Sequence, residues 1–193
     1  ALQRGAREVF AVDVGHGQLA ESLCADPRVH NLEGVHVKDL CEYYRGIPDF
    51  ICVDVSFLSL TKVLPFLVPY AERCDLVALV KPQFEIRHRK SVIHDRKIHQ
   101  KVLRDVSEAA VALGYTLQGL TYSPVRGTEG NIEYLLYMEK TKETRDDLPE
   151  AEDTEEYEEI DAAFSVRPLS AEADELVRLA DRITREAHEA LEK

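Results

Sequence analysis

Three charged side chains stand at the ends of short apolar runs. Ile51-Cys52-Val53 leads into Asp54, Leu76-Val77-Ala78-Leu79-Val80 leads into Lys81, and Glu133 opens Tyr134-Leu135-Leu136-Tyr137. Such runs read as buried strands, and charges at their ends are costly to desolvate. In open α/β sheets, ligands bind at the carboxyl ends of the strands. An amine flanked by two acids can steer or deprotonate a hydroxyl and can stabilise a developing oxyanion. Serving as a base at neutral pH would require destabilising the ammonium by about 4 kcal/mol. Asp54 and Glu133 oppose that change, so both the base and the donor roles stay open for Lys81. A structural salt bridge is the plain alternative.

The elements that must hold these residues alternate between strand and helix. Strands are predicted over 8–14, 29–32, 49–55, 76–80, 115–122 and 132–138. Helices are predicted over 18–25, 38–45, 60–72 and 95–113, the last stopped by Gly114. This order predicts an α/β, Rossmann-like fold with a mostly parallel sheet. Ala1 to Ala6 reads as a last helical turn capped by Gly5, leading straight into a strand. The chain thus reads as starting partway through its domain, without the first strand and glycine-rich loop of a doubly wound fold.

Composition sets the outer bounds. The 193 residues are 45% hydrophobic with a net charge of −12. Residues 141–193 hold 18 acidic and 7 basic side chains, so residues 1–140 are nearly neutral. A body over 1–140, an acidic linker over 141–168 and a C-terminal amphipathic helix over 169–193 are expected. In that helix Leu176, Leu179, Ala180, Ile183, Ala187 and Leu191 recur at helical spacing, and Ser170 can cap it. No apolar run is long enough for a membrane helix, and no signal peptide opens the chain, which points to the cytoplasm and to no membrane partner. Cys24, Cys41, Cys52 and Cys74 lack metal-ligand spacing and read as buried free thiols; His94 and His99 carry no metal signature either.

Four stretches in order resemble the hemolysin A (TlyA-like) family of FtsJ-like RNA methyltransferases. They are Ala11-Val12-Asp13-Val14-Gly15-His16-Gly17-Gln18-Leu19, Asp54-Val55-Ser56-Phe57-Leu58-Ser59, Val80-Lys81-Pro82-Gln83-Phe84-Glu85 and Gly130-Asn131-Ile132-Glu133-Tyr134. The resemblance covers residues 1–139. It implies S-adenosylmethionine as cofactor and methyl transfer to a ribose 2′-hydroxyl of ribosomal RNA. It also implies that Asp54, Lys81 and Glu133 are the last three members of a Lys-Asp-Lys-Glu tetrad. The first lysine, the cofactor loop and the family's RNA-binding N-terminal domain would precede Ala1. Asp13, Val14 and Gly15 are then expected at the cofactor's ribose, with His36 and Val37 at its adenine. The segment Val35-His36-Val37-Lys38-Asp39-Leu40 departs from the family's usual Asn there.

From the residues alone, Asp13 is either a ribose acceptor or a turn aspartate before Gly15. Ser56 and Ser59 read as helix caps, not nucleophiles. Arg87, Arg89, Lys90, Arg96 and Lys97, with His88 and Lys101, form a basic cluster that is either a phosphate-binding surface for ribosomal RNA or a solvated face. A non-catalytic RNA-binding or ribosome-associated module is the competing function. A membrane-lytic one lacks any membrane segment.

Overall fold

A computed structural model describes residues 1–86, 92–140 and 171–191. It divides into two compact units, residues 1–46 and 47–193.

The first unit is built on two parallel strands, β1 (Val9–Asp13) and β2 (Val29–Glu33), in register from Val9↔Val29 to Asp13↔Glu33. A short helix α1 (Glu21–Cys24) connects them, and α2 (Leu40–Tyr43) follows a 3-10 turn over Val37–Asp39. Both helices are shorter than the periodicity predicts. At the start, a 3-10 turn over Leu2–Arg4 closes on Gly5, whose φ of 96° is left-handed. Phe10 stacks on His30 at 4.1 Å and lies 4.5 Å from Tyr44.

The second unit carries a four-stranded sheet in the order β3-β4-β6-β5, made of Phe50–Val53, Asp75–Val80, Tyr134–Lys140 and Tyr115–Tyr122. β3 and β4 run parallel, while β6 is antiparallel to both β4 and β5. The fold is α/β. The expected parallel pattern holds through β4, and then a hairpin-like return from β5 to β6 reverses direction, giving a mixed sheet. β4 and β6 supply the deepest core: Leu76, Ala78, Val80, Tyr134, Leu136 and Met138 are fully buried.

Helix α3 (Leu60–Leu67) buries Leu60, Val63, Leu64 and Leu67. It ends earlier than predicted and tightens into a 3-10 turn over Val68–Tyr70, since Pro69 has no N–H for an α-helical bond. A one-turn helix, α4 (Pro82–Glu85), follows β4 directly. The backbone at Lys81 is extended (φ −112°, ψ 98°), the conformation favoured before a proline. Helix α5 (Arg96–Ala112) is capped by Asp95, whose side chain accepts the Lys97 N–H at 2.9 Å, and ends before left-handed Gly114. His99 is fully buried on it, bonded to the Tyr134 hydroxyl at 2.7 Å and the Ile93 carbonyl at 2.9 Å.

The C-terminal helix α6 (Ala171–Leu191) lies against α5 and β5. Leu176, Ala180, Ile183 and Ala187 are its buried stripe, with Thr184 beside them. The acidic stretch 141–168 and Ser170 lie outside the described residues. The cysteines correct the sequence reading. Only Cys74 is buried, and burial pushes its thiol up to about 11. Cys24, Cys41 and Cys52 are exposed. Cys52 sits on a strand, where alternation turns every second side chain away from the core.

Candidate active site

Topology alone brings three charged positions to one rim. Asp54 follows β3, Lys81 follows β4, and the two strands are parallel neighbours, with Val53 beside Ala78. Antiparallel β6 begins at Tyr134 opposite Val80, so Glu133 enters the sheet where Lys81 leaves it.

The side chains then pair unequally. Lys81 Nζ lies 2.6 Å from Asp54 Oδ1; the lysine side chain is 13% exposed and the aspartate 67%. A nearly enclosed amine therefore reaches an open carboxylate. Glu133 is 8% exposed and takes another partner: its Oε1 accepts a hydrogen bond from Gln83 Nε2 at 3.0 Å. Among the described residues, no ion pair joins Glu133 to Lys81.

The loop before Glu133 fits tightly around it. Gly130 is left-handed at φ 95° and donates its N–H to Gly127 O, while Asn131 holds Ile93 N–H through Oδ1 at 3.0 Å. A Cβ at Gly127 would sit 2.5 Å from Glu133 Oε1, so only glycine lets the carboxylate occupy this place. Arg126 ties the same loop to the end of α6, donating to Gly130 O at 2.9 Å and to the Leu191 carbonyl. The latter is one of the helix-end carbonyls without an intrahelical partner.

Sequence reasoning missed an aromatic beside the pair. Phe57 is 89% exposed and adopts a left-handed φ of 64°, an uncommon conformation for a bulky side chain. Its ring lies 4.9 Å from that of Phe84, and Lys81 Nζ is 5.8 Å from the Phe84 centroid. The only signal in the sequence was an aromatic three residues beyond Asp54. Ser59 caps α3, accepting the Thr61 N–H at 3.2 Å, as predicted from its position.

In the first unit, the loops after β1 and β2 meet. Val35 N–H bonds Asp13 O at 3.1 Å, and Gly34 N–H bonds Gly15 O at 3.0 Å. Asp13 Oδ1 accepts the Gly15 N–H at 2.7 Å, which makes Asp13 an exposed turn aspartate. Val14 is exposed, and His36 Nδ1 accepts the Lys38 N–H at 3.0 Å, starting the turn that contains Val37. Glu33, unremarked in the sequence, organises this region. Its carboxylate accepts N–H groups from Gly17, Gln18 and Leu19 at 2.9, 2.7 and 2.8 Å. Those bonds hold its carboxyl down to about 2.

Of the basic cluster, Arg96 and Lys97 are exposed at the start of α5, and Lys101 pairs with Asp105. Arg87, Arg89 and Lys90 lie outside the described residues. Among the described residues no helix is long and apolar enough to cross a membrane.

Comparison with known proteins agrees with this architecture. A family profile described as FtsJ-like methyltransferase matches residues 1–140. The 16S/23S rRNA (cytidine-2′-O)-methyltransferase TlyA of Mycobacterium tuberculosis is 43% identical over 143 residues, covering 71% of this chain and 53% of that protein. Hemolysin A of Brachyspira hyodysenteriae is 36% identical, covering 71% of this chain and 60% of that protein. The chain thus spans a little over half the length of these curated relatives. A solved structure described as a hemolysin from Streptococcus thermophilus superposes with a TM-score of 0.76 at 32% identity, covering 99% of this chain and 62% of that one. On the match over residues 1–140, the chain belongs to the FtsJ-like methyltransferase family.

Proposed function

We propose that this chain forms the catalytic part of an S-adenosylmethionine-dependent methyltransferase that modifies a ribose 2′-hydroxyl of ribosomal RNA in the cytoplasm. The observation that carries the reading is the contact of Lys81 Nζ with Asp54 Oδ1 at 2.6 Å, at the carboxyl ends of adjacent parallel strands. The rRNA (cytidine-2′-O)-methyltransferase among the relatives supports the substrate class.

The donor set of the first unit suits a nucleoside. Asp13 ends a parallel strand, with one oxygen in its own turn and the other available to a ribose hydroxyl. Val14 and Gly15 would line that ribose, and the backbone at His36 and Val37 would meet the adenine. The cofactor would supply an electrophilic methyl carbon on a sulfonium.

The chain's own residues would do the rest. Of the two roles left open for Lys81, the Asp54 contact favours the donor, because it already holds Nζ in place as a hydrogen-bond donor. Lys81 would then donate to the ribose 2′-oxygen and orient it for attack. The hydroxyl proton leaves toward solvent, on the side where Asp54 is open. Alignment supplies much of the acceleration. Glu133, steadied by Gln83, would hold the ribose from the β6 side. Phe57 offers a ring on which an unstacked base can rest, the usual way single-stranded RNA is gripped. Arg96 and Lys97, with the basic residues before them, would meet phosphates.

The test is transfer of labelled methyl from S-adenosylmethionine to ribosomal subunits, followed by alkaline hydrolysis. A ribose 2′-O-methyl group blocks cleavage of the adjacent phosphodiester. Label in alkali-resistant dinucleotides is expected; label in ordinary mononucleotides, or none, would reject the reading.

A further inference from the structure

We infer that Glu85 is a positioning residue for the Lys81–Asp54 pair, locking the segment after β3 to the segment after β4. This rests on the functional reading above and adds to it a residue to which that reading gives no role.

Glu85 closes α4, four residues after Lys81. Its carboxylate reaches across to the other segment. Oε2 accepts the Ser59 hydroxyl at 2.5 Å, and Oε1 accepts the Leu60 N–H at 2.9 Å. The Leu60 N–H is one of the donors left without a partner at the start of α3. Ser59 uses the same Oγ to accept the Thr61 N–H. One acid thus accepts the first N–H of a helix that belongs to another segment and holds the hydroxyl that caps the next one.

In the segment from Asp54 to Ser59 every side chain is exposed or half-exposed. Val53 anchors its beginning in the sheet, and Phe57 touches Phe84 in its middle. Phe57 sits in a left-handed conformation that an unconstrained loop would abandon. Glu85 supplies the second anchor. Lys81, Phe84 and Glu85 stand at i, i+3 and i+4, one face of a helical turn, and each contacts this segment: Lys81 at Asp54, Phe84 at Phe57, Glu85 at Ser59 and Leu60.

The carboxylate stays there at a cost. Burial pushes its carboxyl above the ordinary range, and Asp105 adds to the effect. Among the described residues it has no cation partner, and both of its oxygens go to the α3 start. Its geometry, and not a charge pair, explains its place.

The experiment compares Glu85→Ala and Glu85→Gln in the full chain, by methyl-transfer kinetics and by amide hydrogen exchange. Gln can keep both contacts, accepting the Leu60 N–H and turning its amide toward Ser59 Oγ; Ala keeps neither. For Glu85→Ala, kcat is expected to fall about 10- to 100-fold with the cofactor KM unchanged. Exchange at residues 54–60 should rise at least tenfold while α5 amides stay protected. Glu85→Gln should stay within about threefold of the wild type in both measures. Equal losses in both variants, exchange at 54–60 unchanged in Glu85→Ala, or faster exchange with normal kcat would each overturn the inference. If the wild type transfers no methyl, the functional reading falls, while the exchange data still judge the lock. Should Glu85→Ala not fold, Ser59→Ala removes half of the contact. A threefold to tenfold lower kcat is then expected, and an unchanged kcat overturns the inference.

Discussion

Lys81 Nζ meets Asp54 Oδ1 at 2.6 Å, although 26 residues of chain, including all of α3, separate the two. Parallel pairing of β3 with β4 makes the meeting possible, because both residues leave the sheet at the same rim. The lysine is screened from solvent and the aspartate is not, so a substrate hydroxyl approaching from the Asp54 side would meet the ammonium at short range.

Lys81→Ala should therefore abolish methyl transfer to ribosomal RNA, with a loss of about 100- to 10,000-fold in the single-turnover rate. Binding of S-adenosylmethionine by calorimetry should change little, since its proposed contacts lie in the first unit. Turnover near the wild-type level would remove Lys81 from the mechanism.

Phe57 separates stability from function. Phe57→Gly relieves a left-handed backbone and removes an almost fully exposed ring, so the melting temperature should stay level or rise, with a gain of up to about 1 kcal/mol. Loss of a stacking surface worth about 1–3 kcal/mol should weaken RNA binding roughly 5- to 150-fold. A variant that melts early and binds RNA normally would contradict both halves.

Glu33 makes the Gly15–Leu19 loop sensitive to acid. Its folded carboxyl sits near 2, below the ordinary value of 4.5, so the ionised form is the one that folding favours. The stabilisation is complete above about 4.5 and is lost as pH falls from there toward 2. Amides of Gly17, Gln18 and Leu19 should lose protection across that window, and Glu33→Gln should show reduced protection even at neutral pH. Protection that is independent of pH would exclude the carboxylate as the anchor.

Arg126 couples the last helix to the loop before Glu133 through its bonds to Gly130 O and Leu191 O. Arg126→Ala should lower the melting temperature by about 2–4 °C, the shift expected for about 1 kcal/mol in a chain of this size. It should also raise amide exchange at residues 127–131. Unchanged exchange there would show that α6 docks without bracing the loop.

The strand-end charges were legible because a short apolar run fixes where a strand emerges, whatever packs around it. The same logic located Asp13 at the end of β1 and Ser59 at the start of α3. The contacts that orient these residues were not legible. Gln83 finds Glu133 across 50 residues and Glu85 finds Ser59 across 26, distances at which spacing along the chain says nothing about contact. The exposure of Phe57 was not legible either, because it follows from a backbone conformation set by its neighbours. Glu33 gave no sign of its role, since its three partners lie in a different loop. Cys52 was misread because an apolar run was taken as buried on both faces, whereas β3 has one face turned outward.

Gly127 carries an evolutionary implication. Any mutation that adds even one methyl group there displaces the acid at 133 from its present place, and any lineage that shortens the acid frees the glycine to drift. Descendants of a common ancestor should thus inherit the two positions as a couple, and sequences that have lost one should show a relaxed other. Counting such joint substitutions across genomes would trace where the acid is still under selection, without purifying a single enzyme.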